Sequence, residues 1–390
     1  MSTKPLRSNL PQQRLLSLLP YALIFGGFLL VSLILLTRLE LKRTDFFVYF
    51  AGAERLRAGL SLYQEGTTVT PIDNQYLYPP PIAIFCLIFP TLVAGWWGWN
   101  LISVLALGLA MVIVVRELNL KDVITTPFWR YVSFIAILLF PPLINHLTWG
   151  QLQLILLALL TGAWYCLRHN RDTWAGVLLG VSIALKLYPA ICLLPLIVQR
   201  RWWAAGVACL SSFSIMALSF WLVGWDQLGI FINQVLPAVN QELSKILYID
   251  YFSMRMTAYL FIYNETGAYS IDLVYRIAIG IAFALVVLRT PRQRDGFIPL
   301  AITTMIMLSP IIWSHYFVLL YLPFIHVLVN ADQRRRRQLV GIFLFIGISP
   351  MIQSLSGVVM VIVHTLPALG LLWLFILQSR LALQPKALQA

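Results

Sequence analysis

Apolar residues run in long blocks near 15–37, 80–93, 96–115, 130–147, 150–168, 174–186, 188–199, 202–224, 270–289, 297–312, 315–330, 338–354 and 357–379. Blocks of about 20 residues suit helices crossing ~30 Å of hydrocarbon. Those at 80–93, 174–186 and 188–199 are short for a full crossing. The first follows Lys4, Arg7 and Arg14, is too long for a signal-peptide core and lacks a small-residue cleavage site, so it reads as a retained helix with a cytoplasmic N-terminus.

The connections then order the blocks. If 80–93, which begins in Pro79-Pro80-Pro81, dips in and returns or lies along the surface, every strongly basic connection falls on one side. That side holds 19 Lys and Arg against 5 Asp and Glu, leaving 9 and 10 of the chain's 28 and 15 for the other. Positive charge marks the cytoplasmic side. The pattern predicts an all-α polytopic membrane protein of about 12 crossings, both termini inside, as one integral membrane domain over 1–390. Within it, 1–37 is the tail and first helix, 38–79 a first outer loop, 80–224 a transmembrane core, 225–269 a second long outer loop, and 270–390 the C-terminal helices. Short re-entrant or interfacial helices are expected in the first outer loop.

Composition agrees with the pattern. The 390 residues are 60% hydrophobic and 11% charged, against about a quarter charged in a soluble domain. Net charge +13 does not indicate nucleic acid, because the basic residues sit in short clusters between apolar runs. The run Arg334–Arg337 is an orientation signal facing anionic lipid. Cys86, Cys166, Cys192 and Cys209 fall inside spans with no zinc or CxxC spacing, and report nothing on redox compartment. No P-loop, dinucleotide fingerprint or metal-ligand spacing appears on the outer face, so neither a cofactor nor a tightly bound metal is expected.

Nearly all the unusual polar residues fall on the non-cytoplasmic side. Asp45, in "LKRTDFFVYFAGAERLRAGLSLYQ", is either an interfacial acid that pairs with Lys42 or Arg43 or caps the following helix, or a general base at the membrane surface. Phe46, Phe47, Phe50, Ala53 and Leu56 fall at near-helical spacing, predicting an amphipathic helix along the interface with Asp45 at its start. Lys186, inside "ALKLYP", is either a snorkelling lysine at a helix end broken by Pro189 or a point charge for a phosphate. Arg255 is a solvated loop cation or a second phosphate ligand. His315, in "WSHYF", is a satisfied interfacial histidine against Trp313 or Tyr316, or a donor to an anionic leaving group. Gln151, after Gly150, reaches a sugar hydroxyl or merely a backbone carbonyl. His146 is a weaker candidate in "NHLTWGQLQ" beside Asn145, and His326 and His364 read as packing residues. Asn240 and Gln241 lie in "NQEL", and Tyr63, Tyr78 and Trp313 offer faces for stacking on a sugar.

These motifs, in order from about residue 44 to 320, resemble those of a bacterial family of polyprenyl-phosphate-dependent glycosyltransferases with the type C fold. The family includes mycobacterial mannosyltransferases of phosphatidylinositol mannoside assembly and related arabinofuranosyltransferases. "TDFFVYFAGAERLRAGLSLYQ" resembles the segment opening its first outer loop, and "YLYPPPIAIF", "WGQLQLILLALL", "ALKLYPAICLLPLIVQRRW", "NQEL" and "LSPIIWSHYFVLL" resemble later ones. Gln153 stands where Asn is usual, and Glu242 where Ser is common. The region after about 335 carries no family motif.

The resemblance implies an inverting transferase. A sugar, mannose by default, would pass from a polyprenyl-phosphate-linked donor to a lipid or glycan acceptor. The site would face the non-cytoplasmic side of a bacterial plasma membrane. Asp45 would be the catalytic base and His315 a second catalytic polar residue, with Lys186 and Arg255 meeting the donor phosphate and no metal required. Expected partners are the lipid-linked donor, the acceptor and membrane lipids, with no nucleic acid. A secondary transporter or a flippase of a lipid-linked sugar would share many spans and a broken helix at "KLYP". Against a transporter stand the absence of matching halves and the few intramembrane carboxylates.

Overall fold

A computed structural model describes residues 41, 44–63, 76–118, 136–237, 252–290, 296–309, 311–349 and 357–384, with 25, 26, 29 and 32. Most of the first apolar block, and Asn240 and Gln241, lie outside the described residues. Those described form helices and no strands. In chain order the helices are α1 (Asp45–Arg57), α2 (Pro80–Cys86), α3 (Leu92–Glu117), α4 (Pro141–Trp149), α5 (Gln153–Arg168), α6 (Asp172–Leu185), α7 (Leu193–Val198) and α8 (Trp202–Val223). They continue as α9 (Asp226–Ile230), α10 (Met254–Ile262), α11 (Glu265–Arg289), α12 (Phe297–Leu308), α13 (Tyr321–Asn330), α14 (Gln333–Gly347) and α15 (Gly357–Leu383).

Among the described residues four helices are long and apolar enough to cross a membrane: α3, α8, α11 and Val358–Leu383 of α15. The pair α4–α5, bent by 115°, makes a fifth if read as one broken span. Several blocks expected to cross form shorter apolar helices, at Asp172–Leu185, Tyr188–Val198, Phe297–Leu308 and Ser314–Asn330. Block 80–93 holds only the seven-residue α2, which rises about 10 Å and cannot span. It packs on α1 instead.

Two sequence features set the layout around α1. Thr44 caps α1, its side chain accepting from the Phe47 amide at 3.2 Å. Asp45 is therefore the first helical residue and not the cap, so its carboxylate is not spent on the backbone. The helix buries Phe46, Tyr49, Phe50 and Ala53, an i, i+3, i+4, i+7 stripe. Tyr49 belongs to this stripe, whereas Phe47 and Leu56 are only partly buried. Phe46 sits against Phe89, Trp96 and Trp99 with ring centroids 5.8–6.1 Å apart.

The second feature is glycine. Gly150 ends α4 at φ 63° and turns the chain into α5. A Cβ there would stand 2.7 Å from both Phe46 Cβ and Trp96 Cζ3. Only glycine combines that conformation with that approach. Farther along, Gly176 and Gly180 of α6 face α8 so closely that a Cβ on either would meet the carbonyl of Ala204 or Ala208 at 2.6 Å. Small residues four apart let two apolar helices reach backbone contact. That contact anchors α6, whose end carries Lys186.

Candidate functional site

The site grows from Asp45. Gln151, just past the Gly150 turn, donates from Nε2 to Asp45 Oδ2. Tyr49, one turn after Asp45, donates its hydroxyl to Gln151 Oε1 at 3.2 Å. Trp99 Nε1 donates to the Gln151 backbone carbonyl at 3.2 Å. The amide of Gln151 is thus oriented from both ends: its oxygen is held by Tyr49, so its NH2 must face the carboxylate. Tyr78 supplies a further hydrogen bond to Asp45 and packs edge-on against Tyr49 at 4.8 Å.

Tyr63 and Tyr76 build the wall behind Tyr78. Tyr63 is 1% exposed, and its hydroxyl donates to the Tyr78 carbonyl at 2.8 Å. Tyr76 donates to the Pro79 carbonyl at 2.6 Å and accepts from the Ala83 amide at 3.0 Å. These rings fix the YLYPP turn and hold Tyr78 toward Asp45.

Opposite lies Lys186. Its backbone is extended at φ −147°, ψ 134°, where α6 stops, and Pro189 shapes the tight turn Tyr188–Cys192 that follows. The ammonium is ringed by Tyr316, Tyr78 and Tyr188, at 4.9, 5.6 and 5.9 Å from the ring centroids. It is 8% exposed. Asp45 and Lys186 attract one another electrostatically, but no ion pair within 4 Å joins them among the described residues. A buried lysine held by ring faces keeps its N–H donors available to an anion.

His315 completes this side. It stands in the turn Ser314–Leu320, 2% exposed, with its ring stacked near Trp313 and 5.1 Å from Tyr316. Its Nδ1 meets Asn145 Oδ1 at 3.2 Å, so Nδ1 carries the proton, and Nε2 is buried without a partner. His146 is fully buried with neither ring nitrogen partnered, and it interacts electrostatically with His315 and Lys186. Buried polar atoms are nearly always satisfied by protein or by ordered water, so these nitrogens are available to a partner from outside the chain.

Burial pushes the Asp45 carboxyl up from 3.8 to about 6, with the Gln151 hydrogen bond, the Lys186 charge and the Tyr78 hydrogen bond opposing it. An acid so tuned is ionised at neutral pH and basic enough to accept a hydroxyl proton.

The structure therefore gathers Asp45, Tyr78, Asn145, Gln151, Lys186 and His315, with Trp313 at the edge. Gln151, read from sequence as a sugar contact, has its side chain committed to Asp45 and Tyr49. Arg255 stands apart, its electrostatic partners being Glu265 and Tyr269 rather than Asp45. Sequence reasoning passed over Tyr49 and Trp99, took Tyr316 only as a stacking partner of His315, and weighted His146 lightly. Tyr49 was findable, since it lies four residues after Asp45 and so on the same helix face. Trp99 reaches the site from a distant helix and carries no local signal, whereas Tyr316 follows His315 in the same turn and only its place over Lys186 was hidden. No group of three or more His, Cys, Asp or Glu among the described residues is arranged to hold a metal ion.

Residues 76–310 match the model of glycosyltransferase family 87. The matched span includes Tyr78, Asn145, Gln151, Lys186 and Arg255, with Asp45 before it and His315 after it. The chain is similar to a Mycobacterium tuberculosis polyprenol-phosphate-mannose-dependent alpha-(1-2)-phosphatidylinositol mannoside mannosyltransferase, 26% identical over 78% of this chain and 74% of that protein. The Mycolicibacterium smegmatis protein of the same description is 28% identical over 46% of this chain and 43% of its own length. GPI mannosyltransferase 1 of Saccharomyces cerevisiae is 25% identical over 45% and 41%.

Proposed function

We propose that this chain, which belongs to glycosyltransferase family 87, transfers a mannosyl residue from a polyprenyl-phosphate-linked donor to a hydroxyl of a lipid-borne or glycan acceptor. The relatives' described dependence on polyprenol-phosphate-mannose supports the donor, and their phosphatidylinositol mannoside substrate supports the kind of acceptor. The observation that carries the chemistry is Asp45 itself. It is a helix-start carboxylate freed from capping by Thr44, oriented by Gln151, and faced by a caged lysine and by unpartnered imidazole nitrogens.

In the proposed reaction the acceptor hydroxyl gives its proton to Asp45 as its oxygen attacks the anomeric carbon. The bond from that carbon to the phosphate oxygen breaks on the opposite face, so the configuration inverts and polyprenyl phosphate leaves with the electron pair. Negative charge grows on the leaving phosphate, and a fixed cation aimed there stabilises the transition state without a metal. Lys186 fills that role. His315 offers Nε2 as an acceptor to a sugar or acceptor hydroxyl, and His146 can donate from its one N–H to the phosphate and accept at the other nitrogen, while Tyr78 and Trp313 present faces to the sugar.

The proposal keeps twelve crossings, both termini inside, and a reaction centre at the non-cytoplasmic face of a bacterial plasma membrane. The basic connections support that orientation.

The test is Asp45→Asn in proteoliposomes supplied with radiolabelled polyprenyl-phosphate-mannose. Transfer is expected to vanish while donor binding and thermal stability persist. Full activity in the variant would remove Asp45 as the base. Uptake of a soluble solute into empty vesicles by the wild-type protein would instead favour a transporter.

A further inference from the structure

Arg255 takes no part in the site around Asp45, yet it is placed as few arginines are. It is 7% exposed, and its Nε is buried without an acceptor. No ion pair reaches it among the described residues. Its neighbours are the ring of Tyr269, 5.6 Å from the guanidinium, and the more distant charge of Glu265. Two turns along α11 from Tyr269, Arg276 is ion-paired to the buried Asp272, and its Nε also lacks an acceptor. The charges of Arg255 and Arg276 act on one another. Asp272 neutralises Arg276, and no carboxylate among the described residues forms an ion pair with Arg255, whose opposing charge, Glu265, acts only at a distance. A buried unpaired charge is strongly destabilising, and ionisable groups within a membrane-crossing helix mark function by default.

Two placements identify what would fill it. First, the cluster opens on a surface suited to lipid: Phe261, Tyr263, Tyr269, Leu273 and Val274 are 47–74% exposed, and α11 is among the candidate spans. It sits near the start of α11, at the end reached from the second outer loop, where headgroups would lie. Second, its contacts are its own. Met256 and Leu260 of α10 pack on Ile311 beside Trp313, while Arg255 faces Tyr269 of α11. The donor's phosphate is bonded to the anomeric carbon under attack, so it must lie within a sugar's width of Asp45. Arg255 contacts neither Asp45 nor Lys186 among the described residues, so a different phosphate suits it better.

We propose that Arg255, Arg276 and Tyr269 form a lateral site for the phosphate of a glycerophospholipid, distinct from the Asp45–Lys186 centre. A planar guanidinium pairs two phosphate oxygens at once, and the Tyr269 hydroxyl is a third donor. The acyl chains lie along the exposed apolar residues of α11.

The site is read by binding without turnover, so its outcome is independent of the role given to Asp45. Delipidated full-length protein in detergent is titrated with dioleoylphosphatidylglycerol, with dioleoylglycerol, which has the same tails and no phosphate, and with inorganic phosphate. Retained lipid is counted by native mass spectrometry. Phosphatidylglycerol is expected to bind the wild type at least tenfold more tightly than Arg255→Met, and dioleoylglycerol to show no such difference. Arg255→Met without lipid should unfold at the same or a higher temperature than the wild type, and its KM for the mannosyl donor should be unchanged. Equal phosphatidylglycerol binding by the variant would overturn the site. A tenfold rise in donor KM would return Arg255 to the donor's phosphate, and displacement of the lipid by equimolar inorganic phosphate would make it a free-phosphate site; either result overturns the proposal. If Arg255→Met does not fold, Arg255→Lys keeps the charge without the planar fork. It is expected to bind severalfold more weakly, and unchanged binding would refute the proposal.

Discussion

Replacing Gln151 with Leu separates orientation of the base from contact with the sugar. In the wild type, Gln151 donates to the Asp45 carboxylate, and that bond is the largest influence opposing the upward push of burial. A hydrogen bond to a charged group contributes about 1.5–3 kcal/mol, and about 1.4 kcal/mol corresponds to one pKa unit. Asp45 keeps some exposure, so the lower end applies, and the midpoint should move from about 6 to about 7. In the proposed reaction transfer needs Asp45 ionised, so activity should rise with pH through that midpoint. For the wild type, about a tenth of Asp45 is ionised one unit below the midpoint and about nine-tenths one unit above it. Gln151→Leu should therefore lose about half its rate at pH 7 and regain most of it by pH 8. The assay is kcat/KM for radiolabelled transfer in proteoliposomes from pH 5 to 9, which reports titration in the substrate-free protein. An unmoved midpoint with a raised KM would refute the reasoning and return Gln151 to the sugar-contact role that the sequence suggests.

Further outcomes follow from the same geometry. Asp45→Asn should keep or slightly raise thermal stability. The folded carboxyl titrates above its unfolded value, so the fold loses stability as pH rises from about 4 to about 6, and an amide escapes that loss. Equilibrium unfolding at pH 4 and pH 7 checks this, and a variant less stable than the wild type at pH 7 would contradict it. Gly150→Ala should lower stability by about 2–5 kcal/mol through the clash with Phe46 and Trp96 and the left-handed backbone, measured by denaturant unfolding of the purified protein; an Ala variant of wild-type stability would refute the packing argument. Lys186→Met should raise the donor KM at least tenfold and leave the fold intact, because a ring cage suits a methionine as well. His146→Leu should keep or raise the unfolding temperature while lowering transfer, since its ring nitrogens bond to no protein group; a less stable and fully active variant would show a structural histidine.

Legibility divides along a physical line. Helical class and membrane residence were readable because blocks of apolar residues need no partner to declare themselves, and because Lys and Arg count sides without any contact being known. Thr44 followed by Asp45 and a run at helical spacing announced α1, and the ordered motifs through "WSHYF" pointed to Asp45, Lys186 and His315 from sequence alone. The number of crossings was less legible: hydropathy sees apolar length, not the 115° bend at Gly150 that breaks one apolar stretch from the next. Only the tertiary structure decided that Thr44 and not Asp45 is the cap, that Gln151, held by Tyr49 and Trp99, bonds the Asp45 carboxylate, and that Tyr316 helps to cage Lys186. It also gave Arg255 and Lys186 different ring neighbours, Tyr269 for the one and Tyr78, Tyr188 and Tyr316 for the other, where a linear reading assigns both cations to one phosphate. Residue type and spacing determine which chemistry is available. Which groups share a site depends on helices packed across more than a hundred residues of chain, and that is settled by glycine-close contacts and aromatic packing that no local window contains.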